Sequence, residues 1–144
     1  MTDSKKNADR LAGIMKDDRY LAYLSHFNRD RDYFQCHEVM EELWLEEGRN
    51  PLLQGLLQAA VGLHHWDNGN PSGASKLMRA ALDKLDGYAD AVVGLDLRQL
   101  QLDLKASLNT LFGKDASFQA FKLQIHDETL QIAEKWEESH GRVK

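Results

Sequence analysis

The sequence predicts an all-α fold, a single-domain bundle of about six helices around a buried central helix near residues 51–68. Three observations carry this expectation. β-branched residues are few, and no segment alternates apolar and polar residues as a half-buried strand does. Helix punctuation recurs, with capping side chains placed before apolar residues at helical spacing. The stretch from Pro51 to Trp66 contains no Asp, Glu, Lys or Arg, so a helix there has no face suited to water and belongs in the middle.

Taken in order, residues 1–16 read as a loosely held N-terminal arm or weakly held helix, and residues 17–144 as one helical domain. A first helix is expected near 18–28. Asp32 and Gln35 have the spacing of a capping box, which opens a helix over 32–47 that Gly48 stops. Asn50-Pro51 sets an N-cap before a proline at the first helical position and opens the helix over 51–68. After the turn Asp67-Asn68-Gly69, Asn70-Pro71 repeats the device for a helix over 71–86. The piece from Asp86 to Leu95 reads as irregular. Asp96 with Gln99 opens a helix over 96–112, closed by Gly113. The last helix is expected over 116–139, with Phe118, Phe121, Ile125, Ile132 and Trp136 as its apolar stripe, Trp136 being late enough to serve a subunit contact. Gly55 and Gly62 lie seven apart, hence on one side of the central helix, where a partner helix can approach closely.

Composition narrows the function classes. The chain of 144 residues suits one domain that buries roughly two-thirds of its unfolded surface. A net charge of -5 with scattered Lys and Arg excludes a general nucleic-acid or anionic-membrane binder. Cys36 is the single cysteine, so no internal disulfide forms, which fits a reducing compartment. The N-terminus lacks the apolar core of a signal peptide. The longest uncharged stretch, Asn50 to Trp66, is shorter than the roughly 20 apolar residues of a membrane span. The expectation is a soluble, cytoplasmic protein without nucleic acid or membrane as partner, compatible with a homo-oligomer.

The polar groups are the surprise. On a wheel of about 100° per residue, Tyr33, Phe34, Cys36, Met40, Leu43, Trp44 and Leu45 define a broad apolar arc. Gln35, Glu42 and Glu46 oppose it. His37 and Glu41 fall inside the arc, four residues apart and so within reach of each other, with Glu38 at its border. On the next helix Gln54, Gln58 and His65 share a face with Val61, and His64 points away. A short connection makes the two helices antiparallel, so His37 and Glu41 should face Gln58, with His65 reached from the far end or from another helix. The histidines His26, His126 and His140 read as surface residues.

The run Tyr33-Phe34-x-x-His37-Glu38-x-x-Glu41-x-x-Trp44, followed by Gln54-Gly55-x-x-Gln58, His65 and Gly69-Asn70, resembles the domain of unknown function 309 family. These are small helical proteins of bacteria and archaea, marked by a His-x-x-x-Glu-x-x-Trp/Tyr pattern that His37, Glu41 and Trp44 match here. The resemblance covers about residues 18–87 and is looser in the C-terminal third. It implies an all-helical fold and a suggested capacity for metal, and it implies no activity.

Two readings follow. In one, His37, Glu41 and His65 hold a divalent metal, with Glu38 in reserve and Trp44, Gln54 and Gln58 in support. An imidazole and a carboxylate one turn apart can grip such an ion, and a mixed nitrogen–oxygen set suits zinc, manganese or iron(II) better than calcium. In the other, the protein is a non-catalytic structural or interaction module. His37 and Glu41 are then a buried hydrogen-bonded pair satisfied by Gln54, Gln58 and Tyr33, whose disruption costs roughly 3–5 kcal/mol. Whether the chain is an enzyme stays open. A His–Glu couple is the base-and-orienter part of many sites, and a metal-dependent hydrolase is compatible with the first reading. A nucleophile is missing, since Cys36 and His37 diverge as neighbours on a helix, and no Gly-rich phosphate loop or G-x-S-x-G turn occurs.

Overall fold

A computed structural model describes residues 10–114 and 116–126. Helix α1 covers residues 10–16, with Ile14 in the core at 2% exposure. Helix α2 (Asp18–Ser25) runs on into a π-helical turn, His26–Asp30, which Arg31 stops with φ 53°. Then come α3 (Tyr33–Glu46), α4 (Pro51–Asp67) and α5 (Pro71–Leu85), the short strands β1 (Ala91–Val92) and β2 (Leu95–Asp96), and α6 (Leu97–Thr110). The family-like half and α6 therefore follow the expected helices closely. No helix among the described residues is long and apolar enough to cross a membrane.

Helix starts are set by side-chain caps. The side chains of Asp17, Asp32, Asn50, Asn70 and Asp96 accept from the backbone N–H groups of Arg19, Gln35, Leu52, Gly73 and Gln99, at 2.9–3.1 Å. Each satisfies a donor that the first helical turn leaves without a partner.

Helix α4 is the hub. No residue from Leu52 to Trp66 is exposed, and Leu52, Leu53, Leu56, Ala59, Ala60 and Leu63 are wholly buried. Helix α5 lies against the two glycines. A Cβ on Gly55 would stand 2.7 Å from Leu85 Cδ2, and one on Gly62 would stand 2.9 Å from Met78 Cγ. On another side, the hydroxyl of the buried Tyr23 donates to the Leu56 carbonyl at 2.7 Å.

The segment between α5 and α6, expected to be irregular, holds an antiparallel hairpin pairing Ala91 with Asp96 and Val92 with Leu95. Its turn puts Val93 at φ 45° and Gly94 at φ 74°. A β-branched residue at positive φ is uncommon, which is why the sequence gives no hairpin signal there. The Tyr20 hydroxyl donates to the Val93 carbonyl at 2.6 Å and ties this turn to α2.

The expected helix over 116–139 is not formed in its described part. Residues 116–126 are non-helical and pack along the bundle, with Ile125 in a β-bridge. Ile125 bridges to Leu95, the Asp96 N–H donates to the Gln124 carbonyl at 2.9 Å, and the His126 N–H donates to the Gly94 carbonyl at 2.7 Å. The buried Asn28 donates to the Leu123 carbonyl at 2.9 Å and accepts from its N–H at 2.7 Å. Trp66 Nε1 donates to the Ala116 carbonyl at 3.0 Å. Phe118 meets Tyr33 and Trp66 edge-on, and Phe121 packs on Phe27. Residues 118, 121 and 125 have helical spacing, whereas 121, 123 and 125 have strand spacing. The free edge of β2 and the Asn28 amide decide between them by satisfying the main chain of a non-helical segment. Ile132, Trp136 and His140 lie outside the described residues.

Arg19 joins α2 to α3. It contacts Asp17 at 2.8 Å, Glu46 at 2.6 Å and Glu42 at 3.4 Å. Its hydrogen bonds hold the Asp17 carboxyl below the usual carboxylate range. A depressed folded-state pKa stabilises the fold above the unfolded value of about 4, and that contribution is lost as pH falls through the lowered value. Asn is an equally good N-cap and cannot titrate. Between about pH 5 and pH 3, Asp17→Asn should therefore lose less stability than the parent in urea titrations. A second expectation concerns packing: Gly62→Val should lower unfolding free energy by about 1–3 kcal/mol, because the added carbons must displace Met78.

Candidate functional site

The loop from Glu47 to Asn50 turns the chain back with Gly48 at φ 72° and Arg49 at φ 62°, and the Arg49 N–H donates to the Trp44 carbonyl at 2.8 Å. Helices α3 and α4 are thereby antiparallel neighbours, as expected. The buried face of α3 is narrower than the apolar arc of its sequence. It consists of Tyr33, Cys36, Met40 and Leu43, whereas Phe34 is 51% and Leu45 47% exposed.

His37 and Glu41 consequently stand at the edge of the bundle and not in its interior. His37 Nε2 lies 2.8 Å from Glu41 Oε2, and their side chains are 34% and 48% exposed. On the other side of the ring, Nδ1 lies 3.5 Å from Glu38 Oε1. The expectation of a buried pair is corrected here, because two apolar residues had widened the arc on paper without entering the core.

Around this pair, the Phe34 ring sits 6.3 Å from His37 and 6.1 Å from His64, centre to centre. Trp44 is half-buried, with the Arg49 guanidinium 5.5 Å above its ring. Across on α4, Gln54 and Gln58 are half-buried. Trp44 Nε1 and Gln58 Oε1 are shielded from solvent and have no hydrogen-bond partner. A donor and an acceptor left in that state are costly unless something meets them. Tyr33 also keeps its hydroxyl without a partner, and burial pushes its phenol up to about 12.

His65 is placed elsewhere. Asn70 caps α5 through Oδ1, which accepts from the Gly73 N–H at 3.0 Å, so its amide NH2 is turned to His65 Nδ1 at 3.4 Å. A Cβ on Gly73 would come within 3.1 Å of His65 Cγ, so the imidazole rests against the start of α5. An Nδ1 that accepts from this amide leaves the ring proton to Nε2. Metal-bound histidines are arranged the other way, one nitrogen on the ion and the other donating. His64 meets an amide in the same manner, its Nδ1 lying 3.4 Å from Asn68 Nδ2.

Glu38 and Glu41 approach opposite nitrogens of His37, and His65 is committed to Asn70. Among the described residues, no three His, Cys, Asp or Glu side chains are grouped so as to hold a metal ion. The set His37, Glu41 and His65 does not fit a three-ligand centre. A hollow of about 410 Å³ opens near the α3–α4 loop, lined by residues including Arg10, Glu47 and Tyr88 and by none of the three.

The cysteine does not join the pair. Cys36 is wholly buried, its Sγ donates to the Tyr23 carbonyl at 3.5 Å, and burial pushes its thiol up. Ellman's reagent at pH 8 should leave Cys36 unmodified in the folded protein and modify it fully in denaturant.

Sequence reading missed a second polar group, in the π-helical turn. His26, read as a surface residue, has a side chain only 18% exposed with Nδ1 3.0 Å from Asp30 Oδ2. Arg29 Nε donates to the same carboxylate at 2.9 Å. The i, i+4 spacing of His26 and Asp30 was a readable signal. The main-chain role of Asn28 had none, because its partner lies 95 residues away.

The fold and edge define a class: a small helical protein with a half-exposed imidazole–carboxylate pair on an antiparallel helix hairpin. Comparison with known proteins gives the family. Residues 20–77 match the model of the family described as Domain of unknown function (DUF309). The chain is 36% identical over 119 residues to the uncharacterized protein YpuF of Bacillus subtilis (strain 168), covering 79% of this chain and 68% of that one. It is 28% identical over 104 residues to an uncharacterized protein of Aquifex aeolicus (strain VF5), covering 70% of this chain and 31% of that longer relative. The protein belongs to the DUF309 family.

Proposed function

We propose that the protein is a non-catalytic binding module whose recognition edge is the α3–α4 face around His37 and Glu41. The observation that carries this reading is the placement of the pair, 2.8 Å apart with side chains 34% and 48% exposed. Of the residues that carry the family resemblance, His37 and Glu41 thus stand where a partner can reach them, whereas Tyr33 and Gly55 are buried. A catalytic reading gets no thiol nucleophile, as Cys36 is sealed under Tyr23.

A second reading has one observation in its favour. His37 Nε2 and Glu41 Oε2 are close together and open to solvent, so they can supply two donors to zinc, manganese or iron(II). The remaining ligands would have to come from outside the described residues.

Two measurements separate the roles. Half-exposed ion pairs contribute little, so His37→Ala and Glu41→Ala should each lose no more than about 1 kcal/mol of unfolding free energy. A loss of roughly 3–5 kcal/mol would mean that the pair is part of the architecture after all. Elemental analysis of tag-free protein should find no stoichiometric transition metal. Near-stoichiometric metal that disappears in His37→Ala would replace the module reading with the second one.

A further inference from the structure

Among the described residues, four large apolar side chains stand exposed: Phe34, Leu45, Leu102 and Phe112. Two of them share α3, eleven residues apart, a rise of about 16 Å. Between them, at steps of four, three and four, come Glu38 and Glu41. At about 100° per residue these four positions fall within an arc of roughly 60°. The outer face of α3 is therefore one stripe with an apolar group at each end and carboxylates in the middle.

The charge of that stripe is not cancelled. Glu42 and Glu46, beside it, share the single guanidinium of Arg19. Glu38 and Glu41 face one imidazole, at 3.5 Å and 2.8 Å. No Lys or Arg pairs with either of them among the described residues. A second copy of this chain is a poor occupant, because a two-fold contact would set this carboxylate row against itself.

We propose that the outer stripe of α3 docks a basic amphipathic helix of another protein. Phe34 and Leu45 anchor apolar residues of that helix about three turns apart, and Glu38 and Glu41 pair with Lys or Arg set between them. Helix-on-helix docking suits the site because its anchors repeat at helical spacing and no strand edge is involved. The carboxylates fix register and hasten encounter, and the apolar ends hold the complex. This inference rests on the binding-module reading and adds the class of partner to it.

The test uses the full chain and two labelled synthetic helical peptides, each with leucines eleven residues apart. One carries two lysines between the leucines and the other two glutamates. Fluorescence anisotropy should show the lysine peptide binding and the glutamate peptide not. Affinity should drop about tenfold or more in Phe34→Ala and in Glu38→Lys, fall with added salt, and stay unchanged in Leu102→Ala. Circular dichroism confirms that these surface variants remain folded. The proposal is overturned if the lysine peptide fails to bind, if both peptides bind equally, or if Phe34→Ala and Glu38→Lys leave its affinity unchanged. The module reading is judged separately by the unfolding of His37→Ala, so either can fail without the other.

Discussion

The contact between α4 and α5 at Gly55 and Gly62 is the interaction on which the other helices depend. From Pro51 to Trp66, helix α4 has no charged residue on any face, so each of its sides must be covered. Glycine on one side brings α5 in until Leu85 and Met78 occupy the space a methyl group would take. That leaves the remaining circumference to α3, to α2 through Tyr23, and to the non-helical segment that meets Trp66. The glycines weaken α4 as an isolated helix, and dispersion contacts made possible by the close approach offset that cost.

The same arrangement explains why the polar edge is where it is. A hub with no exposed residue from Leu52 to Trp66 leaves its neighbours to present polar groups at their margins. Helix α3 gives its Cys36 and Met40 side to the core and its His37 and Glu41 side to the boundary with solvent. His65, one turn from the end of α4, is drawn to the corner with α5, where Asn70 caps one helix and meets the imidazole of the other. The two histidines have different partners. One belongs to the hairpin and the other to the next corner.

Much of the fold was legible because its signals are local. Caps at Asp32, Asn50, Asn70 and Asp96 act within three residues, and the glycine pair and uncharged run of α4 lie within one helix. The errors came where a decision lies outside the segment. Residues 116–126 fit two periodicities, and an edge strand and an amide far away in the chain choose the non-helical one. Phe34 and Leu45 look like core on a wheel, but burial depends on which neighbours arrive, and the two side chains stay 51% and 47% exposed. For the site, the contact between His37 and Glu41 was readable from spacing. The contact of His65 with Asn70 was not, since it turns on which atom of Asn70 caps α5.

The pair of hydrogen bonds between Asn28 and Leu123 has a bearing on how the chain assembles. It closes a loop of 95 residues around the helical body. Contacts so distant in sequence form late, since the chain entropy they remove is returned only once the intervening parts are in place. During synthesis α2 to α5 emerge well before Leu123 does, so the Asn28 amide must remain hydrated while they pack. Its capture by the arriving segment is a latch that shuts when the body behind it is complete.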